Sequence, residues 1–329
     1  MSSLGISDLD PELEESLLTD MARIEELLAT QILGDYPLLV ETSRHLVEAG
    51  GKRLRPLLVL LAAQFGDPTE FNVIRAGVVV ELTHLATLYH DDVMDEAPLR
   101  RGVESANSRW GNTVAILTGD YLFAKASALL ADIGPEAVRL QAHTFERLVI
   151  GQISETQGFT TGLTPLEHYL KVVAEKTGSL IAASARYGAM TSEADPEIME
   201  ILTQFAEHIG ITFQLADDVI DIASTTNESG KTPGTDLREG VPTLVTIFAM
   251  ESTDPKDDEL KAALSAPITD ETIVAKTLAT LRTHEAMDKS KKLLEEYSNS
   301  SRELLNRLPA GAAKDALISL CEAIITRTA

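Results

Sequence analysis

The chain has 329 residues, of which 44% are hydrophobic and 24% are charged, and its formal net charge at pH 7 is -23. This composition is typical of a globular protein and argues against extensive disorder, while the negative charge disfavours binding to nucleic acid, whose phosphates most of this surface would repel. The single cysteine, Cys321, excludes an intramolecular disulfide and a thiolate metal cluster, so we predict a protein of a reducing compartment, the cytoplasm.

The amino-terminal segment indicates a helix rather than a targeting sequence. It has no basic start followed by an apolar core, so no signal peptide is expected. Asp10-Pro11 predicts the start of the first helix, because aspartate caps helix N-termini and proline fits their first turn. Nowhere do about 18 apolar residues follow one another without interruption, so we expect no spanning helix and no stable insertion into a membrane.

Helical periodicity dominates the remainder of the chain. Apolar residues recur at helical spacing without convincing strand-type alternation, which predicts an all-α protein of roughly ten or more helices in a single domain over residues 1–329. A second helix is predicted from Tyr36-Pro37 to Gly50-Gly51. Further helices are predicted near residues 70–95, 107–133, 135–157, 165–190, 197–224, 241–251, 256–265, 271–306 and 310–328. The longest would exceed about 30 Å, enough for a bundle with a deep channel between its helices.

The first group of cations follows the second predicted helix. The stretch GGKRLRP supplies Lys52, Arg53 and Arg55 after a glycine pair. Lys52 and Arg55 are three residues apart and can converge on one diphosphate, which a guanidinium binds through two hydrogen bonds. The alternative interpretation is a helix end followed by a solvated turn.

The next feature is an acidic cluster at the end of an apolar helix, HDDVMD. Asp91 and Asp95 are four residues apart and therefore share one helix face, with Asp92 beside them. An isolated cluster of this kind is more often a solvated helix end. Arg100 and Arg101 follow after a short loop and add positive charge nearby.

A second acidic cluster repeats the D-D-x-x-D spacing at Asp217, Asp218 and Asp221. Two matched clusters that faced each other would need cations to offset their repulsion, and oxygen-only ligands suit a hard ion such as Mg²⁺. Because apolar residues flank both clusters, partial burial and metal binding are the more economical interpretation.

Two further cations stand near predicted helix ends. Lys176 lies in EKTG, and Lys231 lies in the polar stretch STTNESGKTPGTDLREG, residues 224–240, which we predict to be a mobile loop. The GKT of this loop is not a P-loop, because Thr225 stands where a glycine is required and no strand precedes it.

The ordered motifs GGKRLRP, HDDVMDEAPLRRG, EKTG, FQLADDVID and GKTPGTDL resemble those of the trans-isoprenyl diphosphate synthase family, also called polyprenyl synthetases. The resemblance implies the isoprenoid synthase fold, a bundle of mostly antiparallel helices around a deep central cavity. It also implies a Mg²⁺-dependent condensation of isopentenyl diphosphate with an allylic diphosphate, through ionisation, condensation and elimination. A homodimer is implied as well.

Position by position, the same resemblance implies roles for individual residues. The metal ligands would be Asp91, Asp92, Asp95, Asp217, Asp218 and Asp221, holding three Mg²⁺ once substrate is bound. The allylic diphosphate would be bound by Arg100, Lys176 and Lys231, and isopentenyl diphosphate by Gly51, Lys52, Arg55, His84, Arg101 and Phe213. Lys176, Thr177, Gln214 and Lys231 would act at the reacting groups. For His84 a buried core histidine is the alternative.

One position departs from the family pattern. Members commonly carry a lysine in a segment similar to GKxTLP, where this chain has Gly240 followed by Val241. The missing cation removes one expected contact to the allylic diphosphate, for which Lys231 or Arg238 is the candidate replacement.

The residues before the first acidic cluster bear on product length. In the family these residues point along the path of the growing tail, and here Ala86 and Thr87 are small, with no aromatic further up the helix until Phe71. We therefore predict a long-chain product of roughly six to ten isoprene units, about one unit per open helix turn, of the kind used as a quinone side chain. The alternatives are a geranylgeranyl diphosphate synthase and, more remotely, a class I terpene cyclase or a chain-length-tuning subunit of a heteromeric synthase.

Overall fold

A computed structural model describes residues 4–159, 162–224 and 233–326, and within these ranges the chain is dominated by α-helices. The predicted all-α class is thereby confirmed. The helices are α1 (Pro11–Gln31), α2 (Pro37–Glu48), α3 (Leu54–Ala63), α4 (Phe71–Met94), α5 (Ala106–Trp110), α6 (Asn112–Ile133), α7 (Pro135–Gln157), α8 (Pro165–Val173), α9 (Ser179–Thr191), α10 (Pro196–Ala223), α11 (Thr235–Glu239), α12 (Leu244–Met250), α13 (Asp258–Leu264), α14 (Glu271–Thr283), α15 (Glu285–Asn306) and α16 (Ala312–Thr326).

A small hairpin interrupts the helices after α4. Strands β1 (Leu99–Arg100) and β2 (Val103–Glu104) pair antiparallel. The two residues between them, Arg101 and Gly102, both have positive φ, as a tight two-residue hairpin turn requires. This hairpin presents both arginines that follow the first acidic cluster.

Helix boundaries follow local signals where such signals exist. The Asp10 side chain accepts hydrogen bonds from two backbone amides of α1, as predicted. The predicted helix near 107–133 is instead divided at Gly111, whose φ is 86°. The predicted helix near 271–306 is divided at His284, which is extended and caps α15 through its ring. Between α8 and α9 the helix continues through a π-helical turn, Ala174–Gly178.

The chain divides into two compact units. Unit 1 comprises residues 1–145, 180–206 and 308–317, and unit 2 comprises residues 146–179, 207–307 and 318–329. In unit 1, α4 is the core helix and packs against α1, α3 and α6. Gly77 allows the close approach of α1, because an added Cβ would lie 2.4 Å from the Ile24 side chain.

Unit 2 has its own hydrophobic core, built from the carboxyl-terminal half of α10 together with α11, α12, α14 and α15. Val219, Val245, Leu281 and Ala286 are fully buried there. Helix α12 is central to this arrangement, since it packs against α8, α13, α14 and α15. The second acidic cluster therefore lies on a helix whose other face is fixed in a core.

Two helices, α4 and α6, are long and apolar enough to cross a membrane by length and composition alone. The apolar window of α4 is 67% buried within the fold, as expected for a core helix, whereas that of α6 is 39% buried. Ile116 and Leu117 are among the apolar side chains that α6 leaves exposed. The helix α6 thus presents an apolar outer face.

Candidate functional site

The first acidic cluster lies at the carboxyl end of α4 in unit 1. Asp91 is partly exposed, and Asp95, which follows the last helical residue, is exposed. Asp92 is fully buried, with 0% relative exposure. The first and third carboxylates are therefore accessible to a cation, whereas the second points into the protein.

Asp92 is engaged by the hairpin. Nε of Arg100 donates to Oδ1 of Asp92 over 2.6 Å. The other oxygen, Oδ2, is buried and has no hydrogen-bond partner among the described residues. Burial raises the pKa of Asp92, while the cation of Arg100 opposes this effect. As a metal ligand Asp92 stays a prediction, and it would have to give up Arg100 to act as one.

The predicted isopentenyl diphosphate residues of unit 1 come together around a buried carboxylate, Glu81. One amino group of Arg101 lies 3.9 Å from Glu81, and the other donates to the carbonyl oxygen of Leu46 over 2.9 Å and to that of Gly50. Gly51 lies directly against this guanidinium, since an added Cβ would be 3.0 Å from its central carbon. A glycine, which has no Cβ and tolerates the φ of +150° found here, therefore suits the close approach of Arg101.

The protonation states of the residues in this cluster follow from their burial and from the charges of their neighbours. Burial, with help from Arg101, lowers the pKa of Arg55 to about 10, so Arg55 remains a cation at neutral pH. Burial and the neighbouring arginines, Arg55 foremost, lower the pKa of His84 well below its ordinary value, so its ring is neutral. Nε of Arg55 has no hydrogen-bond partner within the described ranges. The cluster can thus receive an anion through two arginines and a neutral imidazole.

Other residues of the predicted binding stretch have different surroundings. Arg53 is a structural cation, since it donates to Glu25 over 2.5 Å and to Glu81 over 2.7 Å. Lys52 is exposed in the turn before α3. Phe213 lies partly exposed on α10, in unit 2. Sequence reasoning missed Glu81, although a carboxylate inside the apolar face of α4 is a usable signal of a buried counter-ion.

The second acidic cluster lies on α10 in unit 2, and it also buries its middle member. Asp217 and Asp221 are partly exposed, whereas Asp218 has 3% relative exposure. Asp218 accepts hydrogen bonds from the hydroxyl of Tyr169 (2.5 Å) and the backbone amide of Leu244 (2.9 Å). Burial raises the pKa of Asp218 to about 6, although these hydrogen bonds oppose the rise.

Asp218 also orients Gln214, the residue predicted to face the reacting carbons. Nε2 of Gln214 donates to Oδ1 of Asp218 over 3.1 Å. With its nitrogen held there, the amide oxygen of Gln214 is directed away from Asp218. Tyr169 was not singled out from the sequence, because nothing in its local pattern separates it from an ordinary core aromatic of α8.

Of the two lysines predicted to bind the allylic diphosphate, the structure describes only Lys176. Lys176 and Thr177 lie in the π-helical turn of unit 2, both partly exposed. Nζ of Lys176 is 2.5 Å from Oε2 of Glu155 on α7. Lys231, together with most of the loop predicted to be mobile, lies outside the described residues.

The position that departs from the family pattern carries an exposed apolar side chain. Val241 is 37% exposed and lines a cavity of about 470 Å³ in unit 2 together with Phe159 and Met250. Arg238 is already bound to both carboxylate oxygens of Glu271, over 2.8 and 2.7 Å. Arg238 could therefore replace the missing lysine only by breaking this ion pair.

A second cavity, of about 420 Å³, lies in unit 1 between α6 and α7, and His90, the neighbour of Asp91, is among its lining residues. Phe123, Leu130 and Phe145 are among its lining residues. The Phe123 and Phe145 rings meet edge to face, with centroids 4.7 Å apart. Sequence reasoning missed Phe145, because the side of α7 that meets α6 has no distinct signal.

The predicted chain-length residues do not line this cavity. Ala86 is fully buried in α4. Thr87 is partly exposed, and its hydroxyl donates to the carbonyl oxygen of His84 over 2.8 Å. The cavity is lined instead by residues that include His90, Phe123 and Phe145.

The acidic clusters suit a hard cation through their outer members. Within the described part of the chain, no group of three or more histidine, cysteine, aspartate or glutamate side chains converges as a complete metal site. Each cluster nevertheless offers two carboxylates one helix turn apart. Mg²⁺ characteristically uses one or two carboxylates and completes its shell with waters and substrate phosphates, so the residues present fit this ion.

Comparisons with known proteins agree over nearly the whole chain. A family model described as polyprenyl synthetase matches residues 36–281. The chain is 46% identical over 324 residues to a nonaprenyl diphosphate synthase of Mycobacterium tuberculosis, covering 98% of this chain and 97% of that protein.

Solved structures are similar to this chain as well. A geranylgeranyl pyrophosphate synthase from Corynebacterium glutamicum, complexed with calcium and isoprenyl diphosphate, matches with a TM-score of 0.88 and 44% identity, covering 97% of this chain and 98% of that one. A decaprenyl diphosphate synthase from Rhodobacter capsulatus matches with a TM-score of 0.88 and 29% identity, covering 97% and 99%. The similarity thus includes both compact units.

Proposed function

Because the chain belongs to the polyprenyl synthetase family, we propose that it condenses isopentenyl diphosphate with an allylic diphosphate and makes a long-chain trans-polyprenyl diphosphate. The observation that carries the reaction is the pairing of an acidic cluster with a separate cationic cluster. Asp91 and Asp95 lie at the end of the same helix that contributes His84 to the cluster of Arg55 and Arg101. A terpene cyclase, which takes one diphosphate, would have no use for that second cluster.

The allylic diphosphate would bind where the acidic clusters and the cations act together. Bound Mg²⁺, which we propose to be three ions held by Asp91, Asp95, Asp217 and Asp221, with Asp92 and Asp218 as further candidates, supplies positive charge that stabilises the departing diphosphate. Arg100, Lys176 and Lys231 would bind the same group. Thr177 and the amide oxygen of Gln214 would face the carbocation, where a fixed dipole stabilises positive charge.

Isopentenyl diphosphate would bind without metal in the pocket of unit 1. Arg55 and Arg101 supply the charge, Lys52 adds a cation at the edge, and Gly51 leaves room for Arg101. His84 is neutral, so it would contribute a hydrogen bond rather than a charge. Phe213 would lie against the hydrocarbon of this substrate. The proton lost in elimination could pass to the released diphosphate, since no side-chain base is required.

The product would contain roughly six to ten isoprene units, with about one unit per open helix turn. The cavity of about 420 Å³ lined by His90 gives the tail a path along α6. Ala86 and Thr87 on α4 do not line this cavity and stay separate candidates for chain-length residues. Relatives named for nonaprenyl and decaprenyl products support this range. A quinone side chain is the corresponding use.

A geranylgeranyl product is the second candidate, and a specific contact favours it. Phe123 and Phe145 meet across the cavity and would stop a tail that cannot displace them. A structure named geranylgeranyl pyrophosphate synthase is 44% identical to this chain. The long-chain product therefore requires that the Phe123–Phe145 pair move aside for the growing tail, and the geranylgeranyl product requires that it stay in place.

The assembly and location follow as further proposals. We propose a homodimer that buries the exposed apolar face of α6, around Ile116 and Leu117. We also propose that residues 1–329 act as one catalytic domain, since the family match crosses both compact units. A cytoplasmic location without stable membrane insertion and without nucleic-acid binding completes the proposal.

The deciding experiment sizes the products of the purified chain. The protein is incubated with Mg²⁺, isopentenyl diphosphate and, separately, geranyl, farnesyl or geranylgeranyl diphosphate, and the products are identified by mass spectrometry. Products well beyond twenty carbons support the long-chain synthase, and accumulation at twenty carbons supports the second candidate. No elongation from any starter would contradict the proposal and favour a subunit that depends on a partner.

Variants then locate the chain-length residues. Phe145→Ala should lengthen the products, because it removes one ring of the aromatic pair, and Ala86→Phe should shorten them. The exposed Phe71→Ala, at the far end of α4, is the control. An unchanged product range in Phe145→Ala would contradict the assignment of this cavity to the tail, and an unchanged range in Ala86→Phe would contradict a chain-length role for Ala86.

A further inference from the structure

Three residues on α7 lie on one face of the helix and all contact the turn that carries Lys176. Arg147, Gly151 and Glu155 are spaced four residues apart, so they follow one another along a single side of α7. They and their contacts all belong to unit 2. None of the three was predicted from the sequence to bear on function.

Arg147 joins the turn to α10. Its Nε donates to Oε2 of Glu175 over 2.7 Å, and one of its terminal amino groups donates to Glu207. All three side chains are partly buried, with 22 to 31% of their surface exposed. A guanidinium shared by two carboxylates at this depth has a defined geometry, because its donors are fixed in one plane.

Gly151 brings the backbone of the turn into direct contact with α7. A Cβ added at Gly151 would lie 2.6 Å from the amide nitrogen of Lys176 and 3.0 Å from the carbonyl carbon of Glu175. No side chain fits in this space. The backbone of the turn therefore packs directly against α7 at the peptide group between Glu175 and Lys176.

Glu155 completes the face with a charge of opposite sign. Its carboxylate lies 2.5 Å from Nζ of Lys176. The two ion pairs therefore have opposite polarity. In one pair the cation, Arg147, is on α7, and in the other the cation, Lys176, is on the turn. A slip of the turn by one residue would break both pairs at once, so the arrangement specifies one register.

The turn itself is a π-helix, Ala174–Gly178. Such turns are rare, and they recur at functional sites because the wider turn changes the direction of the side chains it carries. The extra residue must be held by its surroundings. Here Arg147 donates the hydrogen bonds that tie Glu175 to α7 and, through Glu207, to α10.

We propose that Arg147 is a positioning residue for the allylic-diphosphate site, which it serves by holding the π-helical turn in the geometry that directs Lys176 and Thr177. This inference rests on the proposed function, since it takes Lys176 as a ligand of that diphosphate. Arg147 touches no substrate in this scheme. It acts through Glu175 and Glu207.

The test compares Arg147→Gln with a matched variant elsewhere. Arg186→Gln removes an arginine that pairs with Glu200 over 3.1 Å in unit 1. Arg147→Gln should lower kcat/KM for the allylic diphosphate by about 10- to 100-fold, the scale expected for a small displacement of a positioned group, and leave the KM for isopentenyl diphosphate unchanged. Arg147→Lys should recover part of this loss, and Arg186→Gln should change neither constant.

Binding of inorganic diphosphate gives a readout that does not depend on elongation. Measured by calorimetry with Mg²⁺ present, its affinity should fall in Arg147→Gln and not in Arg186→Gln. If Arg147→Gln fails to fold, Glu207→Gln, which keeps the Arg147–Glu175 pair, should show the same effects in weaker form.

The outcomes separate the two proposals. If the unaltered chain elongates no substrate, the proposed function fails, whereas unchanged diphosphate binding in the Arg147 variants overturns the inference about Arg147. Equal changes in the KM of both substrates would also overturn it, because a positioning role at Lys176 predicts a difference between them.

Discussion

The two acidic clusters have the same spacing and bury the same member, yet they use it differently. In the first cluster the middle carboxylate, Asp92, binds the cation of Arg100. In the second cluster Asp218 binds neutral donors, including Tyr169 and the amide of Leu244. The middle aspartate of each D-D-x-x-D motif is therefore an anchor, and what differs is the segment that it holds.

This difference has energetic consequences. Arg100 is partly exposed, so water can solvate its guanidinium if Asp92 is lost. The donors around Asp218 are buried, and unpaired buried donors cost about 1–3 kcal/mol each in free energy of unfolding. The first cluster thus fixes a charged hairpin that is partly exposed to solvent, whereas the second is part of the core of unit 2.

The largest expected effect falls on the outer carboxylates, where the two clusters should behave alike. Asp91→Asn and Asp217→Asn should each lower kcat by about 10²–10³-fold, because each weakens the charge that stabilises the departing diphosphate. The melting temperature should not fall in either variant. Steady-state rates at saturating Mg²⁺ measure this, with the exposed Asp132→Asn as control. Full activity in one variant alone would break the equivalence of the clusters.

The middle positions should then separate the clusters. Asp218→Asn should lower the free energy of unfolding by about 1–3 kcal/mol, since an asparagine amide presents a donor where the surrounding groups also donate. Urea denaturation of the purified variant measures this change. A variant as stable as the unaltered chain would contradict the role of Asp218 as a core anchor.

Tyr169→Phe tests the same role of Asp218 through a smaller change in the side chain. It removes one hydrogen bond to Asp218 and keeps the ring, so the free energy of unfolding should fall by about 0.5–1.5 kcal/mol. Activity should fall as well, because Asp218 loses a contact that helps it to orient Gln214. The comparison of rates in Tyr169→Phe and Gln214→Ala tests this link, and an unaltered rate in the tyrosine variant would argue against it.

The charged character of unit 1 predicts a dependence on pH. The folded pKa of His84 lies well below its unfolded value, which is about 6.5. Below that pH the unfolded chain binds a proton that the folded chain does not, so stability is full above about pH 6.5 and declines as the pH falls. His84→Asn should remove this part of the decline. Urea denaturation at two pH values, on either side of 6.5, provides the measurement.

The smallest effect is expected at Asp92. Asp92→Asn should change the free energy of unfolding by less than about 1 kcal/mol, because the variant no longer buries a charge, which offsets the loss of the ion pair with the partly exposed Arg100. Its KM for the allylic diphosphate should rise, since Arg100 loses the group that holds it. Equal destabilisation by Asp92→Asn and Asp218→Asn would remove the distinction between the two clusters.

The sequence was informative wherever a local rule applies. The cap at Asp10, the course of α4 and the shared face of Asp91 and Asp95 follow from helix geometry alone. The break at His284 was not predicted, because histidine is not a usual helix-ending residue. It depends on the ring, which caps α15 and also lies 3.1 Å from Asp257.

The partners of the buried aspartates could not be predicted, for a different reason. Tyr169 and Leu244 are 49 and 26 residues from Asp218 along the chain, so only the packed core of unit 2 brings them together. The same holds for Arg147, whose contacts lie 28 and 60 residues away. Motif spacing identifies which side chains share a helix face, whereas burial and pairing depend on the packing of distant helices.

The hairpin of β1 and β2 constrains how this chain can be recombined with its relatives. Its two adjacent arginines are committed to different partners, Arg100 to Asp92 and Arg101 to the carbonyl of Leu46. A segment one residue longer or shorter between Asp95 and Arg100 would present each arginine to the wrong partner, even with every motif intact. Chimaeras should therefore exchange this loop only between parents of equal loop length.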